Sequence, residues 1–296
     1  MNKTIKATVA ALFGYSIFGF SFLFSKSALM LTSPFVLLSV RFLTAFLVLN
    51  LVLLSRKVQI SLKGKPVLPL LMMGFVQPVI YFICETYGIA LTSASFSGVM
   101  IGLAPVAGLV FGVLFLKEQC TMFQVFCTVM SVVGVVLTTT GGFGKFSFMG
   151  FVLLLISVVS SALFTVLSRR ISEEFSPFER TYVMSALGGV VFTMIALIQN
   201  GGNPAAWTVP LSSSDFWVSV LYLSVFSSVG AFLLINYALN HISVGRTLIF
   251  SNFTTVISVL AGIFLMHDTF SALQMVGIII IILSVFGVSY QKESVS

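Results

Sequence analysis

The chain has 296 residues, of which 58% are hydrophobic and only 8% charged, with a net charge of +7 and a mean hydropathy of +1.13. Soluble domains carry about 25% charged residues, so this chain cannot cover a water-facing surface, and its long apolar runs predict a polytopic helical membrane protein, not a β-barrel. Its basic residues sit in loops between apolar runs with no aromatic-interleaved face, which argues against nucleic acid as a partner.

A membrane helix needs about 20 mostly apolar residues. That length predicts ten spans, at 7–29, 34–54, 67–90, 94–116, 121–140, 147–168, 178–199, 215–239, 245–266 and 270–290. Lys3 and Lys6 precede the first run, which is long for a signal peptide and lacks a small-residue cleavage site. It reads as a retained helix. Ser33-Pro34 opens the second span and Ser176-Pro177 the seventh, because proline suits a first helical turn. "TTTGGFGK" (138–145) separates the fifth and sixth, and the longest loop (200–215) contains Trp207, a candidate interfacial anchor. Cys84, Cys120 and Cys127 form no CxxC or paired framework, and read as small packing residues.

Lys and Arg favour cytoplasmic loops. With an inside amino terminus, Lys3, Lys6, Arg56, Lys57, Lys63, Lys65, Lys117, Arg169, Arg170, Arg180, Arg246 and Lys292 fall inside, and only Lys145 among loop residues falls outside. Both termini are therefore expected in the cytoplasm. Ten spans divide into five and five, and two five-helix copies must have opposite orientation. "SKSALMLTSPF" (25–35) aligns with "SRRISEEFSPF" (168–178) at an offset of 143. Tyr87, Ser93, Gly112 and Gln124 match Tyr237, Ser243, Gly262 and Gln274 at an offset of 150. Residues 1–142 and 143–296 are the expected copies. Inverted repeats mark transporters, with the site near the repeat interface.

The stretch 85–137, "ETYGIALTSASFSGVMIGLAPVAGLVFGVLFLKEQCTMFQVFCTVMSVVGVVL", and the opening "FGFSFLFSK…SPFVLLSVRF" (18–26, 33–42) resemble an EamA-type transporter of the drug/metabolite transporter superfamily. The likeness covers nearly the whole chain. The second copy departs from it, with Thr255 in place of the mid-helix proline and His267-Asp268 in place of Lys-Glu. The resemblance implies ten helices, a central cavity and transport of small metabolites, often outward.

Glu85 reads as the only acidic residue within a span. A charge at mid-membrane costs about 2.5–3.5 kcal/mol on insertion scales, so it should face protein or water, not lipid. Gln77, Tyr81, Glu85 and Gly88 fall within about 80° of one another on a helical wheel, a polar stripe on an apolar helix. Two readings stand: a cavity carboxylate binding a proton or cationic group, or an ion pair with Lys26 or Arg41. Lys26 also suits snorkelling to the outer interface, whereas Arg41 sits deeper and wants a protein or anionic-substrate partner. Thr247, Ser251, Thr254, Thr255, Ser258 and Gly262 share one face of the ninth span, favouring helix packing. Asn252 and Asn236 are further site candidates. Gly98, Gly102, Gly108 and Gly112 allow close approach of the fourth span, and Pro78 and Pro105 read as bends used as hinges. The 31 phenylalanines are good lipid-facing residues and point to no cavity; Tyr15 and Tyr81 are better candidates because a buried hydroxyl needs a partner.

No paired carboxylates at depth, HExxH or Walker motif appears, so neither an intramembrane enzyme nor an ATP-driven pump is expected, and no cofactor or metal. A channel would want charge rings or a filter loop. The expected function is a secondary transporter in the cell membrane moving amino-acid-like or drug-like metabolites outward by alternating access, with proton coupling through Glu85 left open. A passive channel or facilitator is the alternative.

Overall fold

The structure, a computed structural model, describes residues 3–56, 58–104, 106–108, 110–111, 121–140, 147–200, 203–242, 247, 250–267 and 271–289. Among the described residues every regular element is a helix and none is a strand. A chain with so few charges must satisfy its backbone internally, and a helix does so within one segment. In chain order the elements are α1 (Lys3–Leu29), α2 (Pro34–Leu54), α3 (Val67–Leu91), α4 (Ala94–Ile101), α5 (Met122–Thr140) and α6 (Phe148–Arg170). They continue with α7 (Pro177–Asn200), α8 (Ser214–His241), α9 (Ser251–Leu265) and α10 (Ala272–Ser289). A short unlabelled helix, Ala205–Leu211, lies in the longest loop. Helices α1, α2, α3, α6, α7 and α8 are long and apolar enough to cross a membrane; the apolar stretches of the other four are shorter over the described residues. Outward faces carry bare apolar side chains such as Leu47, Met194, Ile198 and Phe264.

Helix starts reflect local chemistry. Ser33 precedes Pro34 at the first turn of α2. At α7, Ser176 Oγ accepts from the Glu179 amide and Glu179 Oε2 accepts from the Ser176 amide, a reciprocal capping box. Ser271 and Gln274 form the same box at α10. Two expectations need correcting here. Glu179, buried in the first turn of α7, is a second acidic residue within a predicted span. It is held by Lys65 at 2.8 Å and the Ser61 amide at 2.9 Å, because the chain entering α3 folds back over the α7 cap. Arg180, expected as a loop charge, is fully buried. It donates to Ser168, to the Asn236 carbonyl and to Asn240 Oδ1, so neutral acceptors from α6 and α8 solvate it.

The helices pack in recurring pairs: α2 on α7, α4 on α9, α5 on α10, α3 on α6, and α1 between α8 and α9. Small residues set the close crossings. A Cβ on Gly98 would lie 1.8 Å from Ser258 Oγ, and one on Gly102 would lie 1.7 Å from Thr255 Oγ1. Thr255 Oγ1 donates across this seam to the Gly98 carbonyl at 3.2 Å. The polar face of α9 is thus divided: Thr255 and Ser258 pack on α4, while Ser251 and Thr254 face a central cavity. Gly108 is half-buried, and Pro105, Gly112 and Cys120 lie outside the described residues. Cys84 and Cys127 are buried free thiols.

Helix α3 is interrupted at its middle. Within residues Phe75–Ile80 two helical pieces meet at a kink, where Gln77 has the non-helical φ −142° and ψ 110°. The proline ring at Pro78 forces the preceding residue out of the helical region, which explains that geometry. Gly188 of α7 makes room for the bend, since a Cβ there would meet Phe42 at 2.7 Å and Pro78 Cγ at 3.0 Å. Helix α8 is also irregular at its middle, through a π segment, Tyr222–Ala231, without a proline.

Candidate functional site

A largely enclosed cavity lies where α1, α2, α3, α4, α6, α8 and α9 meet. Its walls include Tyr15, Arg41, Gln77, Tyr81 and Glu85, so five of the candidates chosen from sequence come together. Its water-accessible space is about 40 Å³, enough for roughly three waters at about 10–15 Å³ each.

The two breaks in helix geometry build the polar part. In α8 the π segment turns Ser227 and Ser228 inward, where Arg41 donates from Nε to Ser228 Oγ at 2.8 Å and from Nη2 to Ser227 Oγ at 2.9 Å. The guanidinium also lies 4.3 Å from the Phe82 ring centroid, a cation–π contact. In α3 the bend at Gln77-Pro78 aims Gln77 at the cavity, and its Oε1 is buried without a hydrogen-bond partner among the described residues. Buried polar atoms are nearly always satisfied, so this oxygen is available to a solute. One turn further, Tyr81 donates its hydroxyl to Glu85 Oε1 at 2.8 Å, an i,i+4 bond along the helix.

Of the two readings for Glu85, the ion pair with Lys26 or Arg41 is not formed in this structure. Arg41 is held by the two α8 serines, and Glu85 by Tyr81. Lys26 Nζ is directed to the C-terminal carbonyls of α3, at 2.8 Å from Ile89, 3.3 Å from Ala90 and 2.5 Å from Thr92. Carbonyls at a helix end lack partners within the helix and attract a cation. Asn236 also lies away from the cavity: it accepts from Ser168 Oγ at 2.8 Å and donates to Thr181 Oγ1 at 3.1 Å, within the Arg180 network. The side chain of Asn252 lies outside the described residues.

Sequence reasoning missed the aromatic walls. Phe18, Phe22, Phe82, Phe164 and Phe232 line the cavity, with Phe82 edge-on to Phe232 at 6.2 Å and Phe164 edge-on to Phe232 at 5.9 Å. It also missed Ser227 and Ser228. A charge at Arg41 with no nearby acidic residue in its own helix was the available signal that another helix must supply acceptors.

A bundle that is all-helical among the described residues, with apolar outer faces and a cavity holding buried charged side chains, is the architecture of a multi-pass membrane protein. The chain belongs to the EamA-like transporter family, whose model matches residues 5–140 and 148–290. It is similar to the "Uncharacterized transporter YcxC" of Bacillus subtilis (strain 168), at 32% identity over 99% of this chain and 95% of that protein. The "Uncharacterized transporter YetK" of the same organism is 24% identical over 99% of this chain and 89% of its own length. An "Uncharacterized transporter" of Archaeoglobus fulgidus is 22% identical over 92% and 94%. A solved crystal structure covers 95% of both chains with a TM-score of 0.70 at 18% identity, a likeness of fold. The protein is a membrane transporter.

Proposed function

We propose that this transporter is a secondary carrier that exports small zwitterionic, amino-acid-like metabolites across the cell membrane by alternating access. The observation that carries the reading is a guanidinium, a carboxylate and an unpartnered amide oxygen in one largely enclosed cavity. Arg41 keeps Nη1 free of partners among the described residues and suits a solute carboxylate; Glu85 Oε2 and Gln77 Oε1 suit an ammonium group. The phenylalanine walls suit an apolar side chain. Space for a few waters is too small for a metabolite, so the cavity must open to load, which favours a carrier over a standing pore.

Ten spans, cytoplasmic termini and two inverted halves, 1–142 and 143–296, complete the proposal. The charge count supports the orientation. The packing supports the repeat, since α2–α7, α4–α9 and α5–α10 each pair a helix with the one five places on, and α3–α6 parallels α8–α1. A mid-length interruption in both, a kink in α3 and a π segment in α8, adds to this. Glu85, beside Arg41, Tyr81 and Tyr15, is the proposed proton-coupling group.

The test is uptake of an equimolar mixture of the twenty amino acids into inside-out vesicles, read by mass spectrometry with and without an imposed proton gradient. Saturable accumulation of one or a few of them above vesicles lacking the protein is expected. No accumulation by folded protein, or flux that never saturates, would overturn the zwitterion carrier.

A further inference from the structure

The two basic residues that end α1 and α6 make the same contact in the two halves. Lys26 and Arg169 are 143 positions apart, the offset that aligns the ends of these helices. Lys26 donates to the Ile89, Ala90 and Thr92 carbonyls at the end of α3, and Arg169 donates to the Leu239 carbonyl, the counterpart of Ile89, at the end of α8. Ile89 and Leu239 are 150 positions apart, the offset that aligns α3 with α8. Both helices then stop in the same way, with extended caps at Thr92 (φ −131°) and Ile242 (φ −130°). Two independent registers therefore meet in one hydrogen bond, made once in Lys26–Ile89 and once in Arg169–Leu239.

Each of these bonds ties down the tip of a helix that is broken at its middle. In α3 the tip segment Tyr81–Leu91 comes after the bend at Gln77-Pro78, and it carries Glu85. In α8 the tip segment Phe232–His241 comes after the π stretch that presents Ser227 and Ser228 to Arg41. A helix interrupted at mid-length can tilt its far segment without unmaking the near one. A bond at the tip opposes that tilt.

We infer that Lys26 and Arg169 are paired latches for the transport cycle, Lys26 holding the cavity shut toward the outside and Arg169 toward the inside. The inference rests on the inverted-repeat orientation proposed above. Because the halves are inverted, the same contact closes opposite faces, and each half-cycle requires breaking one latch while the other holds. The helix-end carbonyls suit that use: released from the cation they lie at a membrane face, where water can replace it.

The test is sided labelling of a cysteine placed in the cavity wall. Cys84, Cys120 and Cys127 are first replaced by alanine, and Ser161 is changed to cysteine. A membrane-impermeant thiol reagent is then applied to right-side-out and to inside-out vesicles. Labelling of this parent protein from neither face would overturn the transport cavity itself, separately from the latches. Given labelling, Lys26→Met is expected to raise the outside rate at least threefold and lower the inside rate. Arg169→Met should do the reverse, and Lys26→Arg should return the parent rates. Rates unchanged, or raised on both faces together by either variant, would overturn the inference. An exchange of faces for both variants would support the latches and overturn the orientation. Where a methionine variant does not fold, the glutamine variant at the same position, which keeps N–H donors without charge, is read instead; failure of both to fold assigns the residue to folding and also overturns the inference.

Discussion

Gly102→Ala is expected to destabilise the protein as it stands and to become neutral or stabilising once Thr255 is also shortened. An added Cβ would lie 1.7 Å from Thr255 Oγ1, 3.0 Å from Thr255 Cβ and 3.1 Å from the Val99 carbonyl. Thr255 does not move aside freely, because its hydroxyl donates to Gly98 across the same seam. Overpacking of this kind costs about 1–3 kcal/mol, and loss of the hydroxyl bond adds about 0.5–1.5 kcal/mol. Gly102 has φ −58°, which alanine adopts without strain, so the substitution also returns about 0.4–1 kcal/mol by restricting the unfolded chain. The net expectation is a loss of about 1–3 kcal/mol with threonine at 255. With Thr255→Ala the 1.7 Å overlap disappears and only contacts near 3 Å remain, relieved by a shift of a few tenths of an ångström. Gly102→Ala should then lie between neutral and about 1 kcal/mol stabilising. Thermal unfolding of the four proteins of this cycle in detergent micelles measures the coupling. Equal destabilisation by Gly102→Ala in both backgrounds would refute the close α4–α9 crossing as the cause.

The remaining predictions concern charged side chains. Arg41→Lys should raise the KM for the transported solute about tenfold, equivalent to about 1.4 kcal/mol, because an ammonium lacks the planar fork that can bond two serines and still face a carboxylate; an unchanged KM in vesicle transport removes Arg41 from binding. Glu85→Gln should leave transport that no longer responds to an imposed proton gradient, and gradient dependence equal to the parent would exclude Glu85 from coupling. Arg180→Met removes the buried donor to the Ser168 carbonyl and takes a donor from the Asn236 carbonyl and Asn240 Oδ1, at about 1–3 kcal/mol for the buried acceptor left unsatisfied, so a melting temperature within a degree of the parent would contradict the network. Glu179→Ala should cost more than Lys65→Ala, since the carboxylate also closes the capping box and holds Ser61. The partly exposed Lys65 contributes only about 1 kcal/mol, less at high salt, and equal losses in thermal unfolding would refute the assignment.

Much of the cavity was legible because a helix repeats locally. Gln77, Tyr81 and Glu85 share a face by spacing alone, and a carboxylate in an apolar run must avoid lipid whichever neighbours it has. Ser227 and Ser228 were not legible, because a π segment bonds i to i+5 and changes which residues share a face beyond it. The cavity phenylalanines were hidden by number: the same residue type also covers the outer surface, as at Phe13 and Phe264. Arg180 was misread because its acceptors are neutral and lie 12 to 60 positions away.

Sequence by itself determined the features that composition and local period dictate: an all-helical chain short of charge, the helix starts at Ser33 and Ser176, the bend at Pro78 and the polar stripe that includes Glu85. Tertiary structure decided which partner each charge found. Arg41 and Glu85 share a cavity yet bond to Ser227, Ser228 and Tyr81 and not to each other, and Lys26 bonds to the end of α3. The reason is physical. Backbone preference and hydrophobic period act over a few residues, whereas a buried charge takes the nearest acceptor that packing brings within about 3 Å. For Arg41 those acceptors lie 186 and 187 positions along the chain, and for Lys26 they lie 63 to 66 positions along, so only the closing of the bundle brings them together.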